Sequence, residues 1–200
     1  MQHAARALVT CALLAVLLGA PAPARAQSWQ QVSDEDGLIV EMRAYAGSKV
    51  NEVRASAVFD VPAARVQALL GDFSRHPGVI PPTTLARRLD GDVWYMVIDP
   101  PWVARRDYCI RVSTFRNAEG GTVFAWVQTS DGCPPPQPRL VRMPENRGAW
   151  TVTPLGERRT RVSYQAHTDP GGALPAWIVN RSLARTMRDV FAALRTVSAR

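Results

Sequence analysis

Apolar residues recur at every second position in a series of short segments and at every third or fourth position in two others. Leu38 to Met42 and Val53 to Phe59 predict strands, with a turn around Gly47-Ser48 between them. Asp34 to Gly37 reads as an acidic, solvated turn, because it lacks the alternating oxygen ligands of a calcium loop. Pro62 to Leu70 predicts a helix with its proline in the first turn and an apolar stripe of Val61, Val66, Leu69 and Leu70. Three prolines and a glycine make Pro77 to Thr84 a loop.

A run of strand signals follows: Val93–Ile98, Asp107–Phe115, Thr122–Thr129, Leu140–Pro144, Ala149–Thr153 and Arg161–His167. Short turns between consecutive strands imply an antiparallel meander. Alternation places Tyr108, Ile110 and Val112 on one face and Asp107, Arg111 and Ser113 on the other, wet face. In the last strand Val162, Tyr164 and Ala166 alternate with Arg161, Ser163 and Gln165. The turn chemistry of Asp169 to Gly172 then leads into one long helix from Pro175 to about Ser198. Val179, Leu183, Met187, Val190, Leu194 and Val197 form its apolar face, with Arg181, Arg185, Arg188 and Arg195 opposite. At about 24 residues it reaches roughly 36 Å, enough to cross a whole curved sheet. The fold class is α+β, a strongly curved antiparallel sheet gripping a C-terminal helix.

Composition changes this picture at the N-terminus. Arg6, the apolar run Leu8–Ala20 and the small-x-small site Ala24-Arg25-Ala26 make residues 1–26 a signal peptide. The run is shorter than the roughly 20 residues a transmembrane helix needs. Residues 27–200 form one domain, and cleavage near Ala26 sends it to the periplasm or beyond the cell. Removing two arginines and no acid lowers the formal charge from +7 to +5. Mild basicity serves solubility or attraction to anionic headgroups. Scattered arginines and the export address exclude nucleic acid. Cys109 and Cys133 remain after cleavage. With a hairpin at Asn117–Thr122, Cys109 faces about residue 130. Cys133 then overshoots by roughly 10 Å at strand rise, beyond disulfide reach unless the chain curls back.

Catalytic patterns are sparse. Gly-x-Ser-x-Gly, His-Glu-x-x-His, Cys-x-x-Cys and phosphate-binding glycine loops do not occur. Asp72 and His76 read as a surface helix-end pair, and His167 as a capping or solvated residue at a strand end. No catalytic residue, metal or cofactor is expected.

Five segments together resemble the START (steroidogenic acute regulatory protein-related lipid transfer) domains. "PPWVARRDYCIRV" is similar to the family's Pro/Trp loop followed by an Arg-Asp-aromatic strand start. "LVRMPENRGAWTVTPL" resembles its apolar-Arg strand, turn and Pro-ended strand, and "TDPGGALPAWIVNRSL" the entry to its last helix. "DGLIVEMR" and "DVPAARVQALLGDF" extend the resemblance over Trp29 to Val197.

The resemblance implies a helix-grip fold with an internal apolar tunnel that binds a lipid, sterol or other hydrophobic small molecule. On it, Tyr108, Ile110, Val112 and Tyr164 from the sheet, Trp177, Val179, Leu183 and Met187 from the helix, and Trp102 are candidate ligand-binding residues. Pro100, Pro101, Trp102 and Val103 are a candidate lid that touches a membrane transiently, with Trp102 either at that surface or packed onto the core. Arg106 and Asp107 are expected in structural ion pairs, each with its own partner because neighbours on a strand face opposite ways. Val112 stands where several sterol-binding relatives carry a tunnel arginine, so sterol specificity does not carry over. A monomeric, non-enzymatic binding or transfer protein is the leading expectation. The alternative is a helix-grip enzyme of polyketide cyclase/aromatase type.

Overall fold

The computed structural model describes residues 28–101 and 103–200, so the signal-peptide reading and Trp102 lie outside the described residues. The first hairpin pairs β1 (Gln30–Glu35) with β2 (Leu38–Arg43), and β3 (Glu52–Phe59) follows. After α1 (Ala63–Gly71) and a 3-10 turn (Phe73–Gly78) come β4 (Thr83–Arg88), β5 (Val93–Ile98), β6 (Arg106–Arg116) and β7 (Thr122–Gln128). The two-residue β8 (Val141–Arg142), β9 (Glu145–Gly156), β10 (Arg159–Asp169) and α2 (Ala176–Ser198) complete the chain.

The strands form one sheet in the order β1-β2-β3-β10-β9-β7-β6-β5-β4, with β8 beside β6. Every neighbouring pair on the main path is antiparallel, as the meander requires, and β8 alone runs parallel, to β6. The sheet's inner face carries the alternate apolar residues Val53, Ala55, Ala57 and Phe59 of β3 and Val162 and Ala166 of β10. Against it α2 buries Met187, Val190, Phe191 and Leu194, the stripe its periodicity specifies.

Glycine is required at two places around the sheet. Gly148 lies between Ala166 of β10 and Trp126 of β7. A Cβ there would come within 2.5 Å of the Gln165 carbonyl oxygen and 2.7 Å of the Trp126 ring. The corner between β10 and α2 uses Gly171 and Gly172, both at positive φ (63° and 72°), where an L side chain is strained.

The outer face is not uniformly wet. Arg106 to Ile110 are all buried, because the segment after β7 folds back over Tyr95, Val97 and Cys109. The Cys133 N–H bonds to the Ser130 carbonyl at 3.1 Å, a tight turn that reverses the chain. Cys133 thereby reaches Cys109, and the two form a disulfide with a Cα–Cα distance of 5.8 Å. Straight strand geometry overestimated their separation, since the reversal brings Cys133 back over the strand.

A candidate ligand tunnel under the C-terminal helix

A cavity of about 200 Å³ lies between the curved sheet and α2. Ile98, Tyr108, Ile110 and Tyr164 approach it from the sheet and Leu183 and Met187 from the helix. Both sets follow from periodicity: Tyr108 and Ile110 share a strand face, while Leu183, Met187 and Val190 share a helix face. Trp126 and Trp150 close the cavity beside Tyr164, with ring centroids 5.8 and 4.6 Å from its ring.

Several candidate ligand contacts lie elsewhere. Trp177 is 66% exposed, because it falls on the solvent side of α2 rather than on the Leu183–Met187 face. Val179 shares that inner face but sits one turn before Leu183, half-buried and off the cavity wall. Val112, one inward position past Ile110, is half-buried at the core's edge and does not reach the cavity either.

Polar groups on the wall depend on burial more than on pattern. His76 is buried, with Nε2 3.2 Å from the Leu70 carbonyl oxygen, so Nε2 carries the proton. It does not form the expected surface pair with Asp72, whose carboxylate instead accepts from the Ser74 N–H at 3.1 Å. Desolvation pushes His76 down to about 4, leaving it neutral at physiological pH. Asn146 is buried, and its Oδ1 accepts from Trp126 Nε1 at 2.8 Å and from Thr168 Oγ1 at 3.4 Å. Burial pushes the Tyr108 hydroxyl up to about 12 and also raises that of Tyr164.

His167 is neither solvated nor a cap. It is 1% exposed and its ring stacks on Tyr45 at 3.6 Å, outside the tunnel. Burial holds its pKa below the usual imidazole value, and its Nε2 is 3.6 Å from Glu145.

Arg106 and Asp107 meet different partners. Asp107 is fully buried and accepts two hydrogen bonds from Arg142, both at 2.9 Å, and one from the Tyr95 hydroxyl at 3.0 Å. Arg106 makes no ion pair among the described residues. It donates to the carbonyls of Ala104 and Pro170, because its face of the strand meets backbone rather than a carboxylate. It therefore ties the foot of the loop before β6 to the corner before α2. A second clamp holds the other flank of the helix start: Asn180 accepts from the Asn51 N–H at 2.8 Å and donates to the Lys49 carbonyl at 3.0 Å.

A helix gripped by a curved sheet over an apolar cavity, with loops pinned around the helix start, is the geometry the five resembling segments implied. A family model described as "START domain" matches residues 21–199. The chain belongs to the START domain family. It is 30% identical over 191 residues to an uncharacterized protein of Pseudomonas aeruginosa, covering 93% of this chain and 94% of that one. Its fold is similar to a STAR-related lipid transfer protein fragment from Xanthomonas axonopodis, at 25% identity and a TM-score of 0.77, over 86% of this chain and 99% of the other. Human StAR-related lipid transfer protein 5 matches with a TM-score of 0.79 at 19% identity, over 86% of each chain. The Zhui aromatase/cyclase from Streptomyces shares the fold more distantly, with a TM-score of 0.52 at 18% identity, over 74% of this chain and 91% of that one.

In this START domain the described part of the candidate lid, Pro100, Pro101 and Val103, continues from the cavity-lining Ile98, with Pro101 exposed. Trp177 and Ile178 leave apolar surface at the start of α2. A START fold of this kind supports binding of hydrophobic ligands in general. Among the described residues no helix is long and apolar enough to cross a membrane. A wider concavity of about 800 Å³ opens on the sheet's outer face, but its charged groups are largely engaged with one another, as in the Arg54–Glu41 pair.

Proposed function

We propose that this START domain carries a lipid or other hydrophobic small molecule in the tunnel and exchanges it at a membrane surface. It does so outside the cytoplasm, after cleavage near Ala26. The observation that carries this reading is the apolar cavity between sheet and helix, walled by Ile110, Leu183, Met187 and the indoles of Trp126 and Trp150. Apolar transfer supplies roughly 25 cal/mol per Å² removed from water. The present volume is below the roughly 300–1,000 Å³ of most small-molecule pockets, so a sterol or diacyl lipid enters only if the walls move apart. Exposed Trp177 and Ile178, with Arg181 and Arg185 exposed on the same helix, suit an interface of acyl chains and anionic headgroups.

Native mass spectrometry and solvent extraction of protein purified from its own periplasm test the reading. One hydrophobic molecule per chain is the expected result. A cavity that is empty, and stays empty when challenged with diverse lipids, overturns it. N-terminal sequencing of the same preparation should begin at Gln27. Changing Trp177→Ala together with Ile178→Ser is expected to slow transfer between liposomes several-fold, and an unchanged rate removes the membrane role of this surface.

The second reading, an aromatase/cyclase-like enzyme, draws on the titratable His76 in the cavity wall. Turnover of a polyketide substrate that is lost in His76→Gln would favour it.

A further inference from the structure

The tunnel wall is uncharged. Among the described residues no Asp, Glu, Lys or Arg borders the cavity. An ionised cargo group would leave water with no counter-charge to meet it, which costs far more than burying a neutral polar group. The wall is nonetheless not uniformly apolar. Asn146, Tyr108, Tyr164 and Thr168 place side-chain polar groups on it from β9, β6 and β10.

The hydrogen bonds of these groups are unequally filled. The Asn146 oxygen is already occupied by the Trp126 indole N–H and the Thr168 hydroxyl. Of the chain's four tyrosines, Tyr45 donates to Glu145 and Tyr95 to Asp107. Tyr108 and Tyr164 both line the cavity, and no side-chain hydrogen bond from either hydroxyl is found among the described residues. The two lie close enough for a charge on Tyr108 to raise the Tyr164 pKa, and burial keeps both protonated. Each hydroxyl therefore offers a proton to the cavity space. A carbonyl oxygen has two lone pairs and can take both.

Resting on the binding function proposed above, we infer that the cargo is an uncharged amphiphile whose carbonyl oxygen docks between the Tyr108 and Tyr164 hydroxyls. Esters, amides and ketones fit this site, with alcohols as weaker substitutes. Ionised fatty acids and phosphate monoesters are rejected by the same wall.

Indole fluorescence of the purified protein can report binding, since Trp126 and Trp150 border the cavity. The probes are methyl octanoate, octanoate at pH 8, octyl phosphate and n-octane. Methyl octanoate is expected to bind at least about tenfold tighter than either anion, because an uncompensated buried charge costs far more than that. The pair Tyr108→Phe and Tyr164→Phe, which keeps both rings, is expected to weaken methyl octanoate about tenfold, as the loss of two neutral hydrogen bonds implies. It should leave n-octane within about twofold, because the apolar walls persist. Octanoate binding as tightly as its ester, or an ester affinity unchanged in the double variant, overturns the inference while leaving a hydrophobic carrier in place. Failure of all four probes to bind removes the carrier reading itself, and the inference with it.

Discussion

His76 shows how one buried side chain ties stability to pH. Its ring packs on Phe73 at 4.3 Å, and its protonated form is disfavoured by burial, which lowers its pKa from 6.5 to about 4. The unfolded chain therefore takes up a proton below pH 6.5 that the native state refuses until about pH 4. The His76 contribution is complete above pH 6.5 and shrinks as pH falls through that window, by about 2 kcal/mol between pH 7.5 and pH 5. Urea unfolding at both pH values should show this loss in the native protein. In His76→Gln, which keeps an N–H for the Leu70 carbonyl, the loss should be smaller by about that amount. Equal pH dependence in the two proteins would mean that His76 titrates alike folded and unfolded. Nothing local in "DFSRHPG" announces this burial, because it depends on the fold bringing Trp94 against Phe73 and turning the Leu70 carbonyl toward the ring. Asn146 was hidden for the same reason: "PENRG" reads as a turn until Trp126 supplies the indole N–H. Tyr108, Ile110 and Tyr164 were legible, since strand parity alone assigns their face.

Among the elements, β9 carries the tightest constraint. Gly148 sits where the inward side chains of its two neighbours converge, so any Cβ meets backbone oxygen and ring together. Gly148→Ala is expected to cost about 3 kcal/mol of stability, at the upper end of overpacking effects. A midpoint shift in chemical denaturation measures it, and a loss below about 1 kcal/mol would show that the sheet relaxes at that point. Strands whose two faces differ in burial were readable from alternation, as β3 and β10 show. The two edge strands were not. β1, "QQVSDE", is exposed almost throughout and is held by pairing with β2. β4, "TTLARR", follows a proline pair, and its first two residues fall in the expected Pro77–Thr84 loop, yet it pairs with β5 along its length. Backbone pairing leaves no mark on side-chain pattern when neither face enters the core. On α2 the apolar stripe gave the buried face of its middle and C-terminal turns, but the first turn projects beyond the cavity. That is why Trp177 and Val179 fell outside it.

Across the whole molecule, the Cys109–Cys133 bond pins the segment after β7 to the outer face of β6. It closes a loop across a sequence separation of 24, for which chain-entropy estimates give about 3 kcal/mol. Reduction, or Cys133→Ser, is expected to lower stability by about that much, roughly a 10 °C fall in Tm for a domain of this size. Thermal scans with and without reductant check it. A change under about 2 °C would mean that Leu89 and Leu140 hold the segment without the bond.

The pairing of β3 with β10 reaches further. Ser56 lies opposite Ser163, so the strands that open the chain can join the sheet only through a strand that almost ends it. Until β10 is available, the β1–β3 hairpins and the β4–β9 meander are two separate sheets, each with an unpaired edge and no roof of α2. Contacts of such sequence separation make for slow folding, on the millisecond-to-second scale or longer. During that interval the apolar inner face is open to water and to other chains. The tunnel cannot exist until the final strand and helix close over it.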